Sequence, residues 1–174
     1  PQPGQTVAPS KIPPKPASSP EQVAWTYDPG AVTLSLWADP RLNEYQGDSH
    51  ALMLCVLQLK NAQSYQELSR TAAGLTRMLA CKRFDEHVAG AKKVFVQPGR
   101  NATHVMDRLE GAKYVALVAG YYDLSPGPAA SRLFEVPLHV SDSGILFTTL
   151  EYAPAPLIVE ILLGPHEMQM IGSQ

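Results

Sequence analysis

The sequence predicts an all-β sandwich with a small α-helical insertion. Short segments of β-type pattern recur with turn residues about every 8–12 positions, and a single helical pattern interrupts them. Apolar residues make up 45% of the chain and charged residues only 17%, which fits a protein whose strands are buried. The length of 174 residues fits one folded domain with a hydrophobic core of its own.

Residues 1–24 are predicted to form a flexible, Pro-rich tether ahead of this domain, which we place at residues 25–174. Seven of the first 20 residues are proline, and only Val7 and Ile12 among them are bulky and apolar. Such a segment buries too little surface to fold and stays extended. It is either a spacer that holds the domain away from an anchor or an ordinary disordered terminus. Because the chain starts at Pro1 without a basic and apolar leader, we expect a mature or trimmed form.

The first two predicted strands differ in their burial patterns. Residues 31–37 alternate apolar and polar side chains, which is typical of a strand with one buried face. Residues 51–60 are almost continuously apolar, which indicates a strand buried on both faces. Residues 38–50 between them are polar and include Pro40 and Gly47, so we predict a loop of about a dozen residues there.

Residues 62–81 are predicted to form the helical insertion. Ser64 and Glu67 have the spacing of a capping box. Gly74 weakens the middle of a helix by about 1 kcal/mol relative to alanine, so two short helices are the alternative to one. The apolar side chains recur at intervals of three and four residues, which is typical of packing against a core: Tyr65, Leu68, Ala72, Leu75 and Leu79.

The β-type pattern returns after the insertion. Residues 110–111, Glu-Gly, predict a tight connection between two of these strands. The remaining predicted strands are residues 92–97, 103–109, 113–122, 131–140, 145–151 and 157–163.

The sequence contains no pattern typical of a catalytic, metal or nucleic-acid site. The five histidines are dispersed without metal-ligand spacing, and no Gly-x-Ser-x-Gly elbow or Gly-rich phosphate loop is present. Asp85 and Glu86 are better explained as a solvated turn than as an acid–base pair. A net charge of −2 argues against a nucleic-acid partner. We therefore predict a protein that is not an enzyme and holds no cofactor or metal.

The two cysteines permit two interpretations. Cys55 lies in the most apolar strand and Cys81 at the end of the helical insertion. A disulfide between them would close a loop of about 25 residues and contribute about 3 kcal/mol. Two buried free thiols are the alternative, and the composition does not decide between them.

Several segments carry a resemblance when they are taken in order. They are residues 32–37, the loop with Leu42, Asn43 and Gly47, residues 55–60 (CVLQLK), residues 94–99 (VFVQPG) and residues 114–122 (YVALVAGYY). In this order and spacing they resemble the type VI secretion lipoprotein family, the TssJ (VasD/Lip) proteins. The resemblance covers residues 31–124 and leaves residues 141–174 without an assigned role.

The resemblance implies a transthyretin-like sandwich of two antiparallel sheets in a periplasmic protein. Family members are anchored to the outer membrane by a lipidated N-terminal cysteine, which here would lie upstream of Pro1. They help to build the membrane complex of the secretion apparatus by binding the periplasmic domain of the inner-membrane TssM protein. A periplasmic location favours a Cys55–Cys81 disulfide over free thiols.

The resemblance also implies that the loop between the first two strands binds the partner, and this loop falls on residues 38–50. We expect Leu42 and Tyr45 to be its apolar anchors. Without the resemblance, Leu42 would instead be expected to fold back onto the core. The predicted partner-binding residues are Asp39, Arg41, Leu42, Asn43, Glu44, Tyr45, Gln46 and Asp48.

Two other classes of function remain open at this point. One is a generic periplasmic β-sandwich that binds carbohydrate or another envelope protein, for which exposed Trp25, Trp37 or Tyr45 on one face would be the sign. The other is a small periplasmic enzyme that uses dispersed residues.

Overall fold

The computed structural model describes residues 15–145 and 147–173. Within these residues the chain forms ten strands, two α-helices and a short 3₁₀ turn at Pro20–Gln22. In chain order the elements are β1 (Asp28–Ala38), β2 (Leu52–Leu59), α1 (Gln63–Leu68), α2 (Ala72–Leu79), β3 (Val88–Val96), β4 (Ala102–Arg108), β5 (Tyr114–Ala119), β6 (Ser131–Glu135), β7 (Leu138–Ser143), β8 (Thr149–Pro154), β9 (Leu157–Leu163) and β10 (Met168–Ser173).

Eight of the strands form two four-stranded sheets, which confirms the predicted sandwich. The first sheet has the order β10-β9-β1-β4 and the second has the order β3-β2-β5-β6. Apolar side chains on alternate positions of both sheets are buried in one core cluster, among them Leu34, Leu54, Leu117 and Ile161. The alternating pattern of residues 31–37 therefore reflects a strand that turns one face to this core.

One strand pairing departs from the two antiparallel sheets that the resemblance implies. β1 and β9 run parallel, with Val32 opposite Leu157 and Ala38 opposite Leu163. A parallel neighbour requires a long connection, and residues 39–156, which include the whole second sheet, supply it. The segment after residue 141 is thus central to the first sheet, because β9 lies between β1 and β10.

The helical insertion covers the outer face of the second sheet. Cys55 and Leu57 of β2 pack with Leu75 and Met78 of α2 in a second buried cluster, so β2 is buried on both faces as predicted. The insertion consists of two short helices, the alternative that the sequence left open. A Cβ atom at Gly74 would overlap the backbone carbonyl of residue 68, so glycine permits the close approach of the two helices.

The predicted capping box at Ser64 and Glu67 is wrong. Helix α1 already begins at Gln63, which places Ser64 inside it rather than before it. Asn61 takes the local role, because its Oδ1 accepts a hydrogen bond from the Gln63 amide at 3.1 Å. Thr71 is the polar N-cap of α2, with its side chain accepting a hydrogen bond from the Gly74 amide at 3.0 Å.

Strand boundaries shift most in the last third of the chain. Residues 131–140 were predicted as one strand, but β6 ends at Glu135 and β7 begins at Leu138, because Pro137 between them lacks an amide donor. The strand predicted at residues 145–151 begins later, at Thr149. β10 was not predicted, since its Gln, Gly and Ser residues give it a weak pattern.

The end of the predicted tether is attached to the domain. Residues 1–14 lie outside the described residues, whereas Ala17 forms a β-bridge to Tyr152 and Val23 is buried. Just downstream, the buried Arg108 guanidinium donates to the Thr26 carbonyl at 2.8 Å and lies over the Trp25 ring. The domain boundary at Trp25 stays a prediction, and the contact of Ala17 and the burial of Val23 lie before it.

Candidate functional site

The loop between β1 and β2 is fixed at its base by the neighbouring strands. The Asp39 amide donates to the Leu163 carbonyl at the end of β9 at 2.9 Å. The Ala38 amide donates to Asn101 Oδ1 at 3.1 Å, and Asp39 Oδ1 accepts from the Arg41 amide at 2.7 Å. The loop therefore leaves β1 in a defined direction.

Leu42 is a core residue, which contradicts its predicted role as an anchor for a partner. Its side chain is fully buried in the central cluster of the sandwich. Its amide donates to the Asp39 carbonyl and its carbonyl accepts from the His50 amide, both at 2.9 Å. Burial of a leucine side chain stabilises a fold by about 1.5–3 kcal/mol, so Leu42 contributes to the stability of the domain.

Asn43 is also structural, so its side chain is not available to a partner. It is buried and adopts a φ of 49°, a left-handed conformation that asparagine tolerates better than most residues. Its Nδ2 donates to the Ala51 carbonyl at 3.2 Å, and its Oδ1 accepts from the Tyr122 amide at 3.0 Å. This one side chain therefore joins both ends of the loop to the segment after β5.

The tip of the loop is a tight turn. The amides and carbonyls of Tyr45 and Asp48 exchange hydrogen bonds at 2.9 and 3.1 Å. Gln46 and Gly47 between them have φ values of 53° and 88°, as a two-residue hairpin turn with positive φ requires. The exposed side chains of this turn are thus displayed on a rigid backbone.

Tyr45 belongs to an exposed aromatic cluster with Tyr122 and His50. The Tyr45 and Tyr122 rings stack with centroids 4.6 Å apart and an interplanar angle of 14°. The His50 ring meets Tyr122 edge-on at 4.9 Å. Tyr45 is 48% exposed and Tyr122 is 54% exposed, so the stacked pair presents a large apolar edge to solvent.

Tyr122 is the residue of this site that the sequence did not identify. It lies 79 positions from Asn43 along the chain, beyond the reach of any local pattern. Its neighbour Tyr121 is buried, and burial raises the pKa of Tyr121. The two tyrosines are adjacent in the sequence, but the side chain of Tyr121 is buried and that of Tyr122 is exposed to solvent.

The charged residues of the loop lie around this cluster. The Arg41 guanidinium is 3.8 Å from the Glu44 carboxylate, with Arg41 the more exposed of the two. Gln46 and Asp48 are exposed in the turn, while Asp39 is half-buried at the base. Three acidic residues and one arginine give the loop a local charge of −2.

Cys55 and Cys81 are joined by a disulfide in the structure. Their Cα atoms lie 5.6 Å apart, within the range that an unstrained bridge needs. The bridge connects β2 to the residue that follows α2, and it is buried within the helical layer. It therefore holds the helical insertion against the second sheet.

The aromatic residues proposed for carbohydrate binding have separate environments. Trp25 is half-buried under the Arg108 guanidinium, with 5.6 Å between the ring centroid and Cζ. Trp37 is exposed and alternates with the buried Leu36 and Ala38 of β1, whereas Tyr45 stacks on Tyr122. The three residues have different neighbours, and none of these contacts joins them into one platform.

Among residues 15–145 and 147–173, no group of three or more histidine, cysteine, aspartate or glutamate residues is placed to hold a metal ion. An open groove of about 500 Å³ lies between α1, β6 and β10. Inside it the Tyr65 hydroxyl donates to Ser131 Oγ at 3.1 Å, and burial raises the pKa of Tyr65. No helix in the described part of the chain is long and apolar enough to cross a membrane.

Residues 30–143 match a family model described as type VI secretion lipoprotein, VasD, EvfM, TssJ. This match covers more than half of the 174 residues. It ends with β7, so β8, β9 and β10 lie beyond it. A search of curated proteins found no match.

Solved structures share the fold. The T6SS lipoprotein TssJ1 from Pseudomonas aeruginosa aligns with a TM-score of 0.59 and 18% identity, over 86% of this chain and 96% of that one. A chain from a structure of the T6SS protein TssM C-terminal domain from EAEC aligns with a TM-score of 0.59 and 15% identity, over 81% and 97%. Serratia marcescens Lip, a membrane bound component of the Type VI Secretion System, aligns with a TM-score of 0.54 and 15% identity, over 81% and 96%.

Proposed function

This chain belongs to the type VI secretion lipoprotein family, and from that premise we propose that it is a non-enzymatic component of the secretion membrane complex. In this proposal it is held on the periplasmic face of the outer membrane by a lipidated cysteine upstream of Pro1. It binds the periplasmic domain of the inner-membrane TssM protein through the loop between β1 and β2.

The observation that carries the proposal is the stacked pair of Tyr45 and Tyr122 on a rigid base. Binding costs less when the contacting side chains are already ordered, because fewer rotamers are lost. Here the turn fixes Tyr45, and the hydrogen bond from the Tyr122 amide to Asn43 Oδ1 fixes its stacking partner. Exposed tyrosines with apolar edges are frequent hot spots in protein interfaces.

The partner-contacting residues of this proposal are revised from the sequence prediction. Leu42 and Asn43 support the loop from inside. The proposed contacts are the side chains around the turn, all exposed except the half-buried Glu44, with Tyr122 added from the segment after β5: Arg41, Glu44, Tyr45, Gln46, Asp48 and Tyr122. The negative balance of the loop favours a basic patch on the partner, which would raise the rate of encounter.

Binding to the TssM periplasmic domain tests this proposal directly. We expect Tyr45→Ala and Tyr122→Ala each to weaken binding by about 2 kcal/mol, if each residue is a hot spot. Phe95→Ala is the matched control, because Phe95 is 66% exposed but lies on β3. Isothermal titration of the folded variants against the TssM domain measures the effect.

Unchanged binding in a folded Tyr45→Ala/Tyr122→Ala variant would contradict the proposed interface. A loss of binding in Phe95→Ala of the same size would move the interface to the second sheet. The anchor is tested separately: the protein isolated from the membranes of its own cell should carry acyl chains on a cysteine that precedes Pro1, as mass spectrometry would detect.

A further inference from the structure

The β7–β8 hairpin stands apart from both sheets of the sandwich. It forms a separate two-stranded sheet, paired from Leu138 opposite Pro154 to Ser143 opposite Thr149. Beyond its own ladder, Ala17 and Tyr152 exchange backbone hydrogen bonds at 2.9 and 2.8 Å, and the Ala155 amide donates to the Pro137 carbonyl at its base. Two-stranded hairpins are marginally stable by themselves, so this element needs a reason to persist.

One face of the hairpin is mostly apolar, with Asp142 as its one charged residue, and the other face is mostly polar. Val140 and Tyr152 are directly opposite each other, as are Asp142 and Leu150, so these four side chains share a face. Ser141 and Glu151 lie on the other face. Val140 is 49% exposed and Leu150 is 48% exposed, which leaves the apolar face open to solvent.

The tip of the hairpin exposes two large apolar side chains. Ile145 is 103% exposed and Phe147 is 86% exposed, the highest values for large apolar residues in the described part of the chain. Residues 143–150 contain no charged residue, and the nearest charges are Asp142 and Glu151. Ile145 lies three residues beyond Asp142 and Phe147 lies four residues before Glu151, so an extended chain places them up to about 10 Å from these charges.

These dimensions fit the interface of a lipid bilayer. Apolar elements that lie in a membrane interface are buried about 5–10 Å into the boundary between headgroups and acyl chains. The tip is long enough to reach this depth before Asp142 and Glu151 arrive at the headgroups. A protruding apolar tip also fits into a lipid bilayer more easily than against a flat protein surface, because lipid chains adapt to the shape of the tip.

The attachment point of the N-terminal segment lies close to this tip. Ala17 pairs with Tyr152 of β8, which is three strand residues, or about 10 Å, from the tip end of β8 at Thr149. The chain before Ala17 needs to span at least this distance to reach the plane of the tip. The 16 Pro-rich residues before Ala17 can span up to about 50 Å in a polyproline II conformation, which is sufficient.

We propose that Ile145 and Phe147 insert into the leaflet that holds the N-terminal lipid anchor, as a second membrane contact. This inference rests on the outer-membrane anchoring in the proposed function. Stable membrane attachment generally takes two signals, and the tip would add apolar burial to the acyl chains. Because Asp142 and Glu151 flank the tip, zwitterionic lipid should be preferred over anionic lipid.

The test places the full chain on vesicles through an N-terminal histidine tag and a nickel-chelating lipid, which replaces the native anchor. The vesicles consist of phosphatidylethanolamine and phosphatidylcholine, with brominated acyl chains as fluorescence quenchers. Phe147→Trp should be quenched at least twofold more than the matched control Phe95→Trp, which places the reporter on β3. Trp25 and Trp37 contribute the same background to both variants.

Equal quenching of the two variants would overturn the proposal. A second pair of results would also overturn it: Ile145→Ser/Phe147→Ser loses binding to the TssM domain, and the fluorescence of Phe147→Trp is not quenched. The tip would then be a contact with a protein rather than with lipid. A failure of the proposed membrane contact can be distinguished from a failure of the proposed partner interface. A quenched tip alongside intact TssM binding in Tyr45→Ala/Tyr122→Ala supports the membrane contact and contradicts only the proposed partner interface.

Discussion

The β1–β2 loop and the β7–β8 hairpin both expose large apolar side chains, but the body of the domain holds them differently. The loop inserts Leu42 into the core and donates backbone hydrogen bonds from Asn43 and Glu44 to the carbonyls of Gly164 and Pro165. The hairpin has a ladder of its own and a bridge to Ala17. The loop is thus part of the domain, whereas the hairpin is an appendage.

This difference indicates two kinds of contact. A rigid aromatic pair such as Tyr45 and Tyr122 suits a protein partner, because shape complementarity requires fixed positions. An apolar tip on a hairpin with few contacts to the domain suits a lipid bilayer, because lipid does not require fixed positions of the contacting side chains. Exposure alone would not separate them, since Phe147 and Tyr45 are both exposed; the attachment of the backbone separates them.

The largest effect is expected for Leu42→Ala. Removal of this fully buried side chain should lower the free energy of unfolding by about 2–5 kcal/mol, because a cavity remains in the core. Urea denaturation measures the change. Tyr45→Ala is the control within the same loop and should cost at most about 1.5 kcal/mol, since its ring is half exposed and stacks on Tyr122. Equal losses in the two variants would show that the loop is not divided into a buried base and an exposed tip.

Removal of the disulfide is a reference for this comparison, because the bridge lies outside both the β1–β2 loop and the β7–β8 hairpin. Cys55→Ala/Cys81→Ala should lower the free energy of unfolding by about 3 kcal/mol, because a bridge over 26 residues restricts the unfolded chain. Hydrogen exchange should still show the Leu42 and His50 amides protected above those of the hairpin. Protection of the hairpin amides beyond that of the loop would reverse the comparison. Thiol titration of the denatured, unreduced natural protein should find no free sulfhydryl.

Substitutions of Asn43 test how much its side-chain hydrogen bonds and its backbone conformation contribute to the stability of the loop. Asn43→Gly removes two side-chain hydrogen bonds but keeps the positive φ easy to adopt, so the expected loss of stability is about 1–3 kcal/mol. Asn43→Ala should cost about 1 kcal/mol more, because alanine disfavours this conformation. If alanine were tolerated better than glycine, backbone conformation would not be a reason for asparagine at this position.

Coupling between Tyr45 and Tyr122 should be measurable as a smaller effect. A double-mutant cycle with alanine at each position should give an interaction energy of about 0.5–1.5 kcal/mol in stability, as stacked aromatic pairs do. Thermal or urea unfolding of the four proteins gives the value. Strict additivity would mean that the two rings are not held together in solution.

The smallest effect is expected at the hairpin tip. Ile145→Ser/Phe147→Ser should leave the free energy of unfolding within about 0.5 kcal/mol, because both side chains are already in water. A loss above about 1 kcal/mol would show that the tip packs against another part of the chain, and the hairpin would then no longer be an appendage.

The prediction of the fold from the sequence succeeded where the pattern is local. Alternation in residues 31–37 corresponds to β1, and the continuous apolar run corresponds to β2 between two buried clusters. It failed where Pro137 divides a predicted strand and where β10 has a weak apolar pattern. The helix break near Gly74 was left open, because the contact with residue 68 that requires glycine is a tertiary one.

The candidate site was predicted in its position but not in its contacts. The loop at residues 38–50 follows from polar residues between two strong strand patterns, and Tyr45 in it is exposed. Leu42 was assigned to the surface because the resemblance implies that this loop binds the partner; without the resemblance, the expected place of Leu42 was the core. The side chain is buried because the base of the loop is held against the end of β9, where the Asp39 amide meets the Leu163 carbonyl.

The sequence by itself determined the β class, the helical insertion and the family, because side-chain alternation and segment order are written along the chain. The tertiary structure alone decided that β9 pairs parallel to β1, that Tyr122 stacks on Tyr45, and that the hairpin stands outside the sheets. Asn43 and Tyr122 meet across 79 positions. Such contacts depend on which surfaces become adjacent when the core closes, and no local pattern of residues carries that information.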